Sequence, residues 1–285
     1  MIPLPGLPED GSAFGVAAAP EIRLAAYNFE RVFGSAPTAV LRVPASLPLL
    51  DGLAVPVPWG AVVAASRTGD GSVSLFSVNQ HRTATVAEGP AWAGEAIAVL
   101  RAHSDPVPGT RLLLERELPE ALGLFTGNEM INATARVLRA VHGPAARPCA
   151  APQARPAHAL LTTPDGGEHL PCDLAAAGLR LLIIALAAGR VPPPLQVAPE
   201  HAAAALRAAR PADLGPLLTE AHQHGDQVSD LAVKTALAAG ALGGRALGTC
   251  VVALAPASAI PRIRAEVTTG LTPHLPRPPR YLTAA

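Results

Sequence analysis

The stretch Ala121–Leu138, ALGLFTGNEMINATARVL, reads as a short glycine-containing loop that runs straight into a helix. Met130, Thr134, Val137, Leu138 and Val141 recur at helical spacing and form the inward face, and Gly143-Pro144 ends the run. A loop entering a helix in this way is a ready anion site, because the first-turn N–H groups point outward and the helix dipole favours negative charge. The same residues offer a competing reading. Thr126 and Glu129 stand at the spacing of a capping box, in which the threonine oxygen takes an orphan N–H and the glutamate reaches back to the cap. Such a cap contributes about 1 kcal/mol, and it places a carboxylate where an anionic ligand would sit. Two unit charges about 4 Å apart near a protein surface repel by roughly 4 kcal/mol. The dipole returns only about 0.3–1 kcal/mol. The expectation is a capped helix that fills its own anion site.

Working outward, Glu21–Phe33 is a helix by period, with Ile22, Ala25, Ala26, Phe29, Val32 and Phe33 on one face and Gly34 at its end. TAVLRV (38–43) and LAVPV (53–57) read as strands, and WGAVVAASRTGDGSVSLFSV (59–78) as a hairpin turning at Thr68-Gly69-Asp70-Gly71. A helix over 91–102 and a strand over 110–118 lead to the opening stretch. After it, PAARPCAAPQARP (144–156) has no period and little to bury, and reads as a linker. HALLTT-PDGG-EHLPCDL (158–174) is a second hairpin, and LRLLIIAL (179–186) a buried strand. Beyond the three prolines 192–194 come helical segments near 199–209, 212–224 and 228–239. A glycine loop entering a strand (239–256), a helix and a last strand, RYLTA (280–284), close the chain. Hairpins mixed with helices predict an α+β fold, divided into 1–148 and 157–285, with 149–156 in the linker.

The chain of 285 residues is 49% hydrophobic and 15% charged with no net charge, which is the composition of a soluble globular protein. That balance gives no basic surface for nucleic acid. Leu179–Ala188, the longest apolar run, carries Arg180 and is too short to span a membrane. Met1–Gly15 lacks the basic and apolar regions of a secretory leader. Cys149, Cys172 and Cys250 are odd in number and stand in no metal or redox spacing, so they read as reduced thiols of a cytoplasmic protein.

Three stretches together resemble the galactokinase branch of the GHMP kinases. FERVFGSAPTAVLRVP (29–44) followed by LLDGLAVPVPWGAVVAASRTGDGSVSLFS (49–77) is similar to that family's opening helix, first strand, sugar loop and hairpin. RELPEALGLFTGNEMINATARVL (116–138) sits where the family has its phosphate loop. LGPLLTEAHQHGDQVSDLAVKTALAAGALGGRALGTCVVALAP (214–256) resembles its C-terminal helices and glycine-rich third motif. The resemblance runs in order along nearly the whole chain and implies a two-domain α+β architecture with an inter-domain cleft. It implies a remnant phosphate loop at Thr126, Gly127, Asn128 and Glu129, and a remnant third motif at Gly243, Gly244, Arg245 and Gly248. Sugar-side contacts are implied at Asp51 and at His222, which falls on a family Ser-His position.

The departures from the family pattern fall on its chemical parts. VPASLPLLDG (43–52) is short and apolar where the family carries Arg, Glu, His and Asp around the sugar, and only Asp51 matches. The phosphate loop lacks its run of serines. The segment 144–156 contains no acid where the family places the aspartate that faces the attacking hydroxyl. Phosphoryl transfer is mostly positioning and charge stabilisation, so these losses imply a chain that does not phosphorylate sugars. The leading expectation is a relative that binds a small sugar-like ligand, or a protein partner, through the remnant cleft. A second is a biosynthetic enzyme that kept the cleft and changed its reaction. Neither needs a cofactor; ATP with Mg²⁺ enters only under a third, a weak galactose or sugar 1-kinase. No catalytic residue is assigned. Glu220, His222, His224, Asp226 and Asp230 are the densest set of potential ligands, but His222 and His224 are two apart and diverge on a helix, so no metal site is expected.

Overall fold

The structure is a computed structural model, and it describes residues 18–163, 166–186, 199–223 and 226–284. The chain divides into two compact units. The first takes residues up to Pro44, Trp59–Glu117 and Gly127–Ala151; the second takes Ala45–Pro58, Leu118–Thr126 and the chain from Pro152 onward.

In the first unit a sheet carries helices on both faces. It takes the first part of β1 (Ala39–Leu50), the second part of β2 (Leu53–Arg67), and β3 (Val73–Ser77), β4 (Arg82–Ala84) and β5 (Thr110–Arg116). Helix α1 (Pro20–Phe33) lays Ala25 and Phe29 on one face, against Val40, Val62, Ala64 and Leu113. The alternate strand positions, Val43, Ala61, Val63, Leu75, Leu112 and Leu114, face α2 (Gly94–His103) and α3 (Asn128–His142). Period 2 in the strands and period 3.6 in the helices thus serve one sandwich. All five residues expected on the inward face of α3 are buried. Val32, expected inward on α1, is exposed.

Two expectations fail here. LAVPV and the following apolar run are not separate strands, because β2 runs unbroken through Pro56, Pro58 and Gly60. The expected hairpin over 59–78 does not form either. β3 pairs with β5 in parallel and β5 pairs with β2, so β5 lies between the two arms. Gly109 permits this. Its backbone takes the Thr68 N–H at 3.1 Å, the next residue donates to Ser72 O at 2.9 Å, and a Cβ on Gly109 would collide with Thr68 and Gly71.

In the second unit, β6 (His158–Thr163) pairs with Leu53-Ala54 of β2 and with β7 (Gly166–Pro171), forming the expected second hairpin. A separate antiparallel sheet has the order β11-β8-β10-β9, from β8 (Leu179–Ala185), β9 (Gly243–Leu247), β10 (Cys250–Pro256) and β11 (Arg280–Ala284). Helices α6 (Gln227–Ala238) and α7 (Ile260–Leu271) pack Ala232, Ala236, Ile263 and Val267 onto Leu182, Ile184, Val251 and Ala253. The shorter α4 (Pro199–Arg207) and α5 (Leu214–Glu220) complete the unit. Among the described residues no helix is long and apolar enough to cross a membrane. The 192–194 break, the 164–165 turn and His224 lie outside the described residues.

Candidate functional site

The helix at the centre of the sequence reading begins one residue later than a Thr126 cap requires. Its N-cap is Gly127, at φ 90°, and no side chain caps it. Thr126 is exposed, and the capping box does not form. Gly127 is required for two reasons: its left-handed φ favours glycine, and a Cβ there would lie 2.7 Å from Glu95 Oε1.

Glu129 is turned inward and buried instead. Its Oε1 accepts from Arg116 Nη1 at 2.5 Å, and Arg116 Nη2 donates to Glu95 Oε1 at 3.0 Å. Arg116 ends β5, with its backbone held by Asn79 through bonds of 2.7 and 2.8 Å. One buried guanidinium therefore serves two carboxylates, one of them only 1% exposed, directly beneath the start of α3. Glu129 Oε2 is buried without a hydrogen-bond partner. Burial pushes the Glu129 carboxyl above the usual range, against the backbone N–H groups of Glu129 and Gly127 and the Arg116 charge; Glu95 adds to the push. Sequence spacing gives no sign of Arg116. Glu129 did carry a signal: it precedes Ala133 by four and Val137 by eight, on the buried face of α3. Asn132, close by, bonds the Ala151 backbone in both directions, at 3.0 and 3.1 Å.

The third-motif glycines pack backbone on backbone within the second unit. A Cβ on Gly243 would run into the Gly215 carbonyl of α5, and one on Gly248 into Leu122 O. The strand-joining turn at Gly248 holds the 121–123 loop, since Thr249 N donates to Leu122 O and Thr249 Oγ1 to Ala121 O, both at 3.0 Å. Gly244 N donates to Thr219 Oγ1 at 3.3 Å. Arg245 is buried and donates from Nη1 to Leu49 O at 3.0 Å. Burial lowers its pKa, and the neighbouring Asp51 charge opposes that. Asp51 itself is exposed in the turn between β1 and β2, where Gly52 adopts φ 68°. Asp51 and Arg245, far apart in sequence, are thus charge neighbours.

His222 is buried and engaged on both ring nitrogens. Ala246 N donates to Nδ1 at 3.2 Å, so Nε2 carries the proton and donates to Asp230 Oδ1 at 2.9 Å. The ring ties β9 to α6. Asp226 caps α6 by accepting from Ser229 N at 3.1 Å. Among the described residues no three His, Cys, Asp or Glu side chains gather to hold a metal ion. Burial pushes the Cys172 and Cys250 thiols up to about 11 and about 12, so both stand as small apolar side chains.

No protein-family model matches the sequence, and no curated protein does. Solved structures do match. Lactococcus lactis galactokinase, solved with galactose, superposes with a TM-score of 0.74 at 15% identity, over 93% of this chain and 97% of its own. Cytophaga hutchinsonii homoserine kinase gives 0.61 at 16% identity, over 86% and 94%. Methanococcus jannaschii mevalonate kinase gives 0.57 at 11%, over 86% and 97%. At these identities the likeness establishes the fold.

Proposed function

We propose that this chain, which has the fold of the GHMP kinases, is not a competent ATP:sugar phosphotransferase, and that it binds a small sugar-like ligand without phosphorylating it. The observation that carries the reading is the Glu95–Arg116–Glu129 cluster beneath the N-terminus of α3, in which Arg116 and Glu129 are buried and Glu95 is half-buried. Two carboxylates and one guanidinium carry a net negative charge when both acids are ionised. A nucleotide phosphate brought to this helix end would meet that charge, and the helix dipole, at about 0.3–1 kcal/mol, is too weak to offset repulsion on the order of 4 kcal/mol.

The donor set does not suit a Mg²⁺–nucleotide. Carboxylates are good Mg²⁺ ligands, but Glu95 Oε1 and Glu129 Oε1 are both held by Arg116, and the remaining Glu129 oxygen is buried away from the surface that a nucleotide would approach. The 144–156 segment supplies no acid to take a proton from an attacking hydroxyl. An absent general base costs a factor of about 10² to 10⁴. No phosphoryl-transfer step is assigned to these residues.

On the sugar side we assign Asp51 as the acceptor of hydrogen bonds from a ligand; its exposure, and the hold of Leu49 O on its neighbour Arg245, support this. His222 contributes by fixing β9, which carries Arg245. Galactose is the first ligand to try, since the Lactococcus galactokinase was solved with it. The test is the melting temperature in galactose and, separately, in Mg·ATP, with ADP release assayed in both together. A ligand at a hundred times its dissociation constant adds about 2.7 kcal/mol, several degrees for a chain this size. The proposal expects a shift with galactose or a related polyol, none with Mg·ATP, and no ADP. Saturable nucleotide binding with ADP release would overturn it.

A further inference from the structure

We propose that the hollow at the C-terminal end of α2 binds a compact anion that also carries hydroxyl groups. This site lies wholly within the first unit and is independent of the reading above. Its volume is about 400 Å³, and its walls include Arg101, Ser104, Asp105 and Arg147. That size suits a small metabolite.

A helix C-terminus ordinarily repels anions, because its last carbonyls are unsatisfied. Here the chain following α3 supplies the missing donors. Ala146 N bonds His103 O at 2.7 Å, and Arg147 N bonds Ala102 O at 3.2 Å. These bonds quench the negative end of α2 and fix the backbone that bears Arg147 beside the hollow that Arg101 also lines. Among the described residues neither arginine has a carboxylate partner. Among the described residues the Arg101 guanidinium makes a single long bond, 3.5 Å, to Val86 O. Two guanidinium groups around one concavity match phosphate or carboxylate, which accept paired N–H donors. Ser104 Oγ and the Asp105 carboxylate are likewise without protein partners among the described residues. Asp105 opposes a bare anion but accepts from hydroxyls. The set therefore selects a hydroxylated anion, such as a polyol phosphate or a hydroxy acid.

The experiment follows melting temperature, on the full chain, against inorganic phosphate, glycerol phosphate, tartrate and glycerol, with potassium chloride at matched ionic strength. A saturable rise in the millimolar range is expected with glycerol phosphate or tartrate, the stronger of the two identifying the anionic group, and none with glycerol. Arg101→Gln and Arg147→Gln, both at exposed positions, should each weaken binding about tenfold. Asp105→Asn should improve inorganic phosphate and reduce the preference for glycerol phosphate over it. A shift no larger than that of potassium chloride, or one that survives in the Arg101→Gln/Arg147→Gln double variant, would overturn the proposal.

Discussion

Arg116, at the end of β5, and Glu129, in the first turn of α3, form a buried ion pair at 2.5 Å, and the free oxygen of Glu129 has no hydrogen-bond partner. Glu95 shares the same guanidinium. A buried pair contributes little net stability once desolvation is counted, but removing one partner leaves an uncompensated charge and costs about 3–5 kcal/mol. Arg116→Met should therefore be severely destabilising in chemical denaturation, whereas Arg116→Met combined with Glu129→Met should recover most of the loss. Equal destabilisation by the single and double variants would contradict this description.

The titrating groups predict opposite pH slopes. His103 and His142, whose rings meet edge to face at 5.9 Å, have pKa values lowered by burial; for His142 the Arg67 and His103 charges add to the effect. A lowered folded pKa means that the unfolded state binds protons first. Stability is then full above the unfolded value near 6.5 and falls as pH drops below it, by at most about 1.4 kcal/mol per pH unit for each group. Glu129 and Glu115 are raised, each chiefly by burial. Their contribution is full below the unfolded value near 4.5 and is lost as pH rises through their folded values. Between pH 7.5 and 5.5 a His103→Asn/His142→Gln variant should therefore lose less unfolding free energy than the parent, and an equal change in both would contradict the assignment.

The glycines separate by position. Gly243→Ala and Gly248→Ala would drive a methyl into the Gly215 and Leu122 carbonyls, and should cost more than 2 kcal/mol, on the order of an overpacked core. Gly94, at the start of α2 with open space around its missing Cβ, should instead gain about 0.4–1 kcal/mol on replacement by Ala. Denaturation midpoints of the three variants check this ordering.

Much of the fold was legible because it is local. The face of α3, the 158–174 hairpin and the buried run at 179–186 follow from period and turn chemistry alone. The insertion of β5 between β2 and β3 was not legible, since it joins residues some forty positions apart through a bond pattern that leaves no local mark. The unbroken β2 was hidden at Pro58, which falls between the LAVPV strand and the run that starts at Trp59. At the candidate site, the sequence pointed to an acidic residue at the start of α3 but gave the wrong partner for it. T-x-x-E spacing suggested a cap, whereas burial of Glu129 against Arg116 placed the charge beneath the helix. Arg245 and His222 read as possible ligand contacts; their bonds to Leu49, Ala246 and Asp230 are visible only once β9 is in place.

His222 offers a further check. Its loss strands the buried Ala246 N–H, so His222→Phe should cost about 1–3 kcal/mol, the penalty of a buried group left unsatisfied. His222→Asn should cost less if its carbonyl reaches Ala246 N. Thermal and chemical denaturation of the two variants would show the difference, and equal stability of both with the parent would rule out a bracing role.

The central claim is that the chain's own acids occupy the charge environment a nucleotide phosphate would need at α3. Calorimetric titration of a non-hydrolysable ATP analogue with Mg²⁺ tests it most directly, on the parent protein and on Glu129→Ser. The account predicts no saturable heat for the parent up to millimolar ligand, and a measurable gain in affinity for Glu129→Ser. Tight binding to the parent that is unchanged by the substitution would contradict it.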